Sequence, residues 1–232
     1  MLNYGQLTEK HHAMLFALMA REVIQRFGVE NGQTTVRRIV RRYGEQRGYR
    51  MALRALRDGR PLTMQTFLVY KEWSSMSGEG VSRSFEESEN VHSVVLNCPW
   101  NNTWLEADLL PYGSLYCMEV DQALVRGFNP SLVIEVKSTL SNNEDRCEFI
   151  YHHAVALNPE DNIHPILDPI MPWDYHCGHL YFICLEELTE KFGEAGVQAA
   201  RDALDAFCYC FGNELVERII SYQGQRFDRL PA

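Results

Sequence analysis

Four side chains that could catalyse a reaction lie in two short stretches of the chain. Cys117 and Asp121 are four residues apart, and His176 and His179 are three apart. A thiol becomes a useful nucleophile when an imidazole takes its proton, and a carboxylate can orient that imidazole. If the fold joins the two stretches, the four residues predict nucleophilic or general acid–base catalysis. The structural alternative is a buried, inert thiol and two histidines that bond to the backbone.

The same residues allow a metal site as an alternative. His176 and His179 share one face of a helix, so a third ligand would complete an open zinc site. That ligand would be Cys117, Cys147 or Asp121. However, no HExxH or CxxC spacing supports zinc. We therefore expect no metal ligand and no cofactor.

An arginine on the inward side of a helix is the second unusual feature. The apolar stripe formed by Val36, Ile39, Val40 and Tyr43 continues at helical spacing to Arg47. Burying a guanidinium group without a partner is costly. Arg47 therefore either forms a structural ion pair or binds the carboxylate of a substrate, which its planar fork suits.

The candidate residues Cys117 and Asp121 belong to a helix–strand–strand unit. Residues 114–125 have helical periodicity, and residues 127–130 end the helix, with Gly127 in a left-handed C-terminal position. Residues 132–139 alternate as a strand, and the polar residues 141–145 form a turn. Strand alternation resumes at residues 147–149.

Other elements surround this unit, and their patterns predict an α+β fold. Helices flank a small antiparallel sheet in one domain over residues 1–232, with N-terminal helices in 9–57, a central unit in 91–155 and C-terminal helices in 173–221. Individual helices are predicted over residues 9–27, 36–57, 180–193 and 195–220, further strands over 91–97 and as far as 155, and loops over 74–90 and 158–172. Residues 62–73 could form a strand or a short helix, and their β-rich composition favours the strand.

Composition and charge argue against several classes of protein. The formal net charge is −9, but residues 1–60 carry +7 and the remainder −16. The basic residues Arg37, Arg38, Arg41 and Arg42 follow one solvated helical face without interleaved aromatic residues, so nucleic-acid binding is not expected. Without a membrane-length apolar run or a signal pattern, we expect a cytoplasmic protein with no membrane partner. The seven cysteines are then expected to be free thiols.

Several spaced motifs together resemble one enzyme family. They are YGEQRGYRMALRALRDG at residues 43–59, CPW at 98–100, YCMEVDQALVRGFNP at 116–130, CEF at 147–149 and HCGHLY at 176–181. In this order, over about residues 36–181, they resemble the L-2-amino-thiazoline-4-carboxylic acid hydrolase family. One departure lies in the turn before CEF, where the family often has Gly-Asp and this chain has Asn143, Glu144 and Asp145.

The resemblance implies both a fold and a reaction. The family is similar in turn to small-molecule-binding domains of the 4-vinyl-reductase type, which implies an α+β fold with a pocket between sheet and helices. The implied reaction is hydrolysis of a carbon–nitrogen bond in a small cyclic amidine or thiazoline, giving an N-carbamoyl amino acid. Catalysis would involve Cys117, Asp121, His176 and His179, and substrate binding would involve Tyr43, Arg47, Trp100, Tyr116 and Asn129.

The residue chemistry and the resemblance together give a mechanism. Arg47 would pair with the substrate carboxylate, and either a Cys117 thiolate or a water activated by Asp121 would attack the ring carbon. His176 or His179 would pass a proton to the departing ring atom, and Asn129 would donate to the tetrahedral centre. The alternatives are a non-catalytic small-molecule sensor and an enzyme for another carbon–nitrogen ring. Formation of a homo-oligomer is left open.

Overall fold

The computed structural model describes residues 5–155 and 163–231, in which helices surround a small sheet. The predicted α+β class is confirmed. No helix in these two ranges is both long enough and apolar enough to cross a membrane. The elements are α1 (Glu9–Phe27), α2 (Val29–Arg57), α3 (Met64–Val69), β1 (Val81–Glu87), β2 (Asn90–Asn97), α4 (Pro99–Glu106), α5 (Leu110–Cys117), α6 (Val120–Phe128), β3 (Ile134–Ser138), β4 (Cys147–Tyr151), α7 (Trp173–Phe192), α8 (Glu194–Phe211) and α9 (Asn213–Ile220).

The four strands form an antiparallel sheet in the order β1-β2-β4-β3. Phe149 of β4 pairs with Ser93 of β2 on one side and with Val136 of β3 on the other. Strand β1 corrects the prediction of a loop over residues 74–90. All of its residues are exposed, and all except Val81 and Phe85 are polar, so no apolar alternation marks the strand. Its backbone pairs with β2 along its whole length.

The sheet ends earlier than predicted at its last strand. Strand β4 stops at Tyr151, and the chain then turns at His153, which has a φ of 53°. Val155 donates a single backbone hydrogen bond to Glu89, so it does not extend the ladder. Part of the predicted crossing loop over 158–172 lies outside the described residues, and residues 163–172 contain neither helix nor strand.

Three other predicted elements have different boundaries. Within residues 62–73 the favoured strand is wrong and the alternative short helix forms as α3, which the Thr63 hydroxyl caps by accepting from the Thr66 amide at 3.2 Å. Helix α2 begins at Val29 instead of residue 36, after a chain reversal at Gly28 with a φ of 84°. The predicted helix over 195–220 is divided into α8 and α9 at Gly212, where φ is 85°.

The predicted helix over residues 114–125 is also interrupted. Cys117 closes α5, whereas Asp121 lies in the first turn of α6. Between them Glu119 has a non-helical φ of −126°, and its buried carboxylate pairs with Arg37 and Arg41 of α2. These ion pairs hold the chain at the break, so Cys117 and Asp121 do not share one continuous helical face.

Helices α2 and α6 cross with their backbones almost in contact. A Cβ atom at Gly48 would lie 2.0 Å from the carbonyl oxygen of Leu124, and one at Gly127 would lie 2.1 Å from that of Glu45. Gly127 is therefore a helical contact residue and not the predicted left-handed cap. The close crossing sets Arg47 of α2 against the start of α6.

We expect Gly48→Ala to lower the free energy of unfolding by about 3 kcal/mol, because the helices must separate to admit the methyl group. Urea denaturation would measure the change. Gly80→Ala is the control, since the nearest side-chain atom would be 3.9 Å from the new Cβ. Equal unfolding midpoints for the two variants would contradict the tight crossing.

Candidate functional site

A buried carboxylate surrounded by arginines lies at the centre of the site. Helical spacing aligns Arg47, Arg50 and Arg54 on α2, facing Glu72 just after α3. Arg50 donates to both Glu72 oxygens, at 2.9 and 2.8 Å, and Arg54 donates to Oε1 at 2.6 Å. Burial favours the neutral form of Glu72, but the guanidinium groups outweigh it and lower its pKa. Glu72 is therefore a structural counter-ion for these arginines.

Arg47 is the arginine of this group with hydrogen-bond donors left over. Its Nε is 3.6 Å from Glu72 Oε2, beyond a normal hydrogen bond. Arg47 is only 4% exposed, and its Nε and Nη2 atoms have no acceptor among the described residues. An unsatisfied buried guanidinium is costly, so the arrangement favours an anionic ligand. The sequence left two roles open for Arg47, a structural ion pair and the binding of a substrate carboxylate. Arg50 and Arg54 form most of the ion pair, so Arg47 keeps donors for a ligand.

The two predicted histidines differ in how many ring nitrogens have a hydrogen-bond partner. His176 Nε2 donates to the Glu72 carbonyl oxygen at 3.0 Å, so its Nδ1 is a buried acceptor without a partner in the described chain. His179 uses both nitrogens, with Gln46 Oε1 at 2.9 Å and Arg50 Nη2 at 3.4 Å. Burial and the neighbouring arginines lower both pKa values well below the usual value. Both rings are neutral at pH 7.

Cys117 is surrounded by different groups from those that act on the two histidines. Burial raises the pKa of its thiol well above the usual value, and the Ser141 hydroxyl opposes this effect. The charged or ionisable groups that act on it are Cys98, Asp121 and Cys147. In residues 5–155 and 163–231, neither His176 nor His179 hydrogen-bonds to Cys117. The thiol is protonated at neutral pH, and the expected thiol–imidazole pair is not formed here.

Asp121 connects the two sides of the site. Burial raises its pKa to about 6, and the Arg47 guanidinium opposes the rise. The carboxyl group is densely surrounded, although Asp121 as a whole residue is only partly buried. A carboxylate with such a pKa can take a proton from water near neutral pH and return it later.

Aromatic residues cluster beside Arg47, around a histidine that was not predicted. His12 of α1 receives a hydrogen bond from Trp100 Nε1 at 3.2 Å and lies 3.0 Å from Tyr43 Oη. Its ring centroid is 5.5 Å from that of Tyr116. Three predicted substrate-binding residues therefore meet at one place. Helical spacing could have identified His12, because it continues the buried face of Leu15, Phe16 and Met19.

The side chain of Asn129 forms hydrogen bonds in the turn after α6. Its side-chain nitrogen donates to the Leu62 carbonyl oxygen at 2.8 Å, and its oxygen accepts from the Ser131 amide at 3.0 Å. These bonds hold the chain reversal after α6, as an asparagine commonly does in a turn. The expected donation from Asn129 to a tetrahedral centre therefore has no support in this geometry.

The zinc alternative and a small cavity in the core were the remaining candidates for a binding site. Among the residues described, no three His, Cys, Asp or Glu side chains are grouped so that they could hold a metal ion. A small cavity lies in the core, but the side chains around it offer no nitrogen or oxygen that could orient a ligand. They are Phe16, Met19, Ala20, Val23, Val36, Ile39 and Cys184.

Comparison with known proteins confirms the predicted resemblance but over a different range of residues. The family model described as L-2-amino-thiazoline-4-carboxylic acid hydrolase matches residues 8–151. The match includes His12, Arg47 and Asp121, whereas His176 and the rest of the HCGHLY motif lie outside it. Among curated proteins and among solved structures, none matches the chain.

Proposed function

Because the chain belongs to the L-2-amino-thiazoline-4-carboxylic acid hydrolase family, we propose that it hydrolyses this acid or a closely similar cyclic amidine that bears a carboxylate. The observation that supports the proposal most is the pairing of two complementary groups. Arg47 has buried donors without an acceptor, and Asp121 has a pKa of about 6. The first suits a substrate carboxylate, and the second suits activation of water.

In the proposed complex, Arg47 binds the carboxylate through its free Nε and Nη2 hydrogens. The ring then extends towards Asp121, whose carboxylate interacts with the same guanidinium group. The unpaired Nδ1 of His176 accepts a hydrogen bond from a substrate N–H. His179 has no part in this proposal, because both of its ring nitrogens are already bonded.

The proposed reaction uses Asp121 twice. Asp121 takes a proton from water as the water oxygen bonds to the ring carbon between nitrogen and sulfur, and it passes that proton to the ring nitrogen. It then takes the hydroxyl proton of the tetrahedral species, the carbonyl forms, and the carbon–sulfur bond breaks. The sulfur keeps the electron pair and receives the proton from Asp121. The carboxylate is restored, and one water has been consumed.

Atom balance thereby refines the bond that the resemblance implied. An N-carbamoyl product keeps both nitrogens on the attacked carbon, so a thiazoline ring opens at its carbon–sulfur bond. The carbon–nitrogen double bond is hydrated and becomes a single bond. The product is N-carbamoyl-L-cysteine, which carries a free thiol that the substrate lacks.

The direct test is to incubate the protein with L-2-amino-thiazoline-4-carboxylate and to follow free thiol, with mass spectrometry to identify N-carbamoyl-L-cysteine. Thiol release at a rate proportional to protein concentration is expected. Binding of the ring acid without any consumption would contradict the hydrolase proposal and favour the sensor alternative.

We expect Cys117→Ser to keep kcat/KM within about threefold of the wild type, because a protonated thiol is a poor nucleophile and Asp121 acts on water. Steady-state kinetics would show this. Cys210→Ser is the control, since Cys210 is an exposed thiol. A loss above a hundredfold together with a covalent substrate adduct on wild-type Cys117 would replace the water mechanism by a thiolate mechanism.

We expect Arg47→Gln to raise KM by about 30-fold, because a buried hydrogen bond between charged groups contributes roughly 1.5–3 kcal/mol. The increase should largely disappear for a ring substrate without the carboxylate. Arg126→Gln is the control, because Arg126 forms an exposed ion pair with Glu45. Equal effects of Arg47→Gln on substrates with and without the carboxylate would contradict the assigned contact.

A further inference from the structure

The hydrogen bond from Trp100 determines the protonation of His12. An indole nitrogen can only donate, so His12 Nδ1, at 3.2 Å, must be the acceptor. The proton of the neutral ring is then on Nε2. Burial lowers the pKa of His12 well below its usual value, so the ring stays neutral. One donor-only partner thus fixes the tautomer of the buried imidazole.

The His12 tautomer in turn determines the direction of the Tyr43 hydroxyl. The protonated Nε2 of His12 lies 3.0 Å from Tyr43 Oη and donates to it. The hydroxyl oxygen therefore accepts, and its own hydrogen points elsewhere. Tyr43 is completely buried, and it makes no other hydrogen bond with the described residues. Burial raises the pKa of Tyr43 to about 12, so the hydroxyl keeps its proton. An O–H donor is therefore buried without an acceptor.

The ring of Tyr43 lies beside the guanidinium group of Arg47. The guanidinium carbon of Arg47 is 5.3 Å from the centroid of the Tyr43 ring, and Nε and Nη2 of Arg47 also have no acceptor among the described residues. Buried donors without acceptors are costly, and several of them in one place match a ligand that only accepts. A carboxylate has two oxygens and about four acceptor positions.

We propose that Trp100 and His12 form a fixed hydrogen-bond relay that makes Tyr43 a second donor to the carboxylate bound by Arg47. His12 is then a positioning residue, since it acts on the ligand through Tyr43. The relay deepens the proposed function, because the identity of the carboxylate rests on it.

The first measurement concerns the relay and needs no substrate. Nitrogen-15 NMR of wild-type protein should show His12 with a protonated Nε2 and a bare Nδ1. In Trp100→Phe, which removes the indole donor, the two His12 signals should move towards each other as the second tautomer becomes populated. A wild-type proton on Nδ1, or unchanged signals in Trp100→Phe, would overturn the relay.

The second measurement concerns the ligand. Calorimetry in an Asp121→Asn background, which strongly slows turnover, would compare L-2-amino-thiazoline-4-carboxylate with 2-aminothiazoline, which lacks the carboxylate. We expect Tyr43→Phe to weaken binding of the acid about tenfold and to leave the carboxylate-free ring unchanged. Tyr49→Phe, on an exposed position of the same helix, should change neither affinity.

The outcomes separate the two proposals. No effect of Tyr43→Phe, equal effects on both rings, or no binding of the acid would overturn Tyr43 as a carboxylate donor. If the wild type binds the acid through Tyr43 but releases no thiol, the relay stands and the hydrolase proposal fails. His12→Gln provides a further readout, since loss of the fixed donor should raise KM for the acid while kcat changes little.

Discussion

Asp121→Asn should reduce kcat by about a thousandfold, because general base catalysis by a positioned carboxylate contributes roughly 10²–10⁴-fold. Asparagine keeps the shape of the side chain but cannot take a proton from water. The carboxylate has the chemical properties for this role, since burial raises its pKa to about 6 while Arg47 keeps it from rising further. Steady-state kinetics with the thiazoline acid would measure the loss.

The pH profile gives an independent check on Asp121. Only the ionised form can act as a base, so kcat/KM of the wild type should rise with pH through about 6 and then level off. Neither His176 nor His179 should add an inflection near neutrality, since the pKa of each is held well below its usual value. A flat profile between pH 5 and 8 would contradict the role of Asp121.

Folding controls separate loss of the base from loss of structure. The pKa of Asp121 is higher in the folded protein than in the unfolded chain, so its ionisation opposes folding as pH rises through about 6. Asp121→Asn should therefore unfold at no lower denaturant concentration than the wild type at pH 8. Asp205→Asn, at an exposed position on α8, should leave both kcat and stability unchanged.

Glu72→Gln should lower the free energy of unfolding by about 3–5 kcal/mol, the usual effect of removing one partner from a buried ion pair. The carboxylate is fully buried and faces three arginines that are each at most 5% exposed. Glutamine offers one carbonyl oxygen but no charge, so these guanidinium groups would be left without their counter-ion. Urea denaturation at pH 7 would measure the change.

An exposed glutamate provides the matched control for Glu72. Glu190 pairs with Arg38 on the surface, and Glu190→Gln should have little measurable effect. The pKa of Glu72 is lowered on folding, so its stabilising effect should be present at neutral pH and be lost as pH falls through the folded-state pKa. If Glu72→Gln were as stable as Glu190→Gln, the buried charge cluster could not be a main support of the fold.

Much of the architecture follows from local patterns in the sequence. The apolar spacing of α1 and the glycine after it predict the helix over residues 9–27, which the structure confirms. The alternation at residues 132–139 and 147–149 likewise predicts β3 and β4. Such patterns are reliable because helix and strand periodicity bring nearby residues to one face. The family motifs are local in the same sense.

Elements that depend on distant partners could not be predicted in this way. Strand β1 has no apolar alternation, and it exists because β2 supplies its hydrogen bonds. The break between α5 and α6 depends on Glu119, which reaches arginines about 80 positions earlier. The segment around α3 has β-rich composition, but the hydroxyl of Thr63 caps a helix there. Local propensity is a weak preference that such contacts override.

By itself, the sequence determined which chemical groups are present and that Arg47 lies on an inward helical face. The tertiary structure decided their partners. It bonded Arg50 to Glu72, 22 positions away, and Trp100 to His12, 88 positions away, and it placed Cys117 beside Asp121 without a hydrogen bond to either predicted histidine. The physical reason is that pKa values and free hydrogen bonds depend on burial and on distances between remote residues, which no local spacing records.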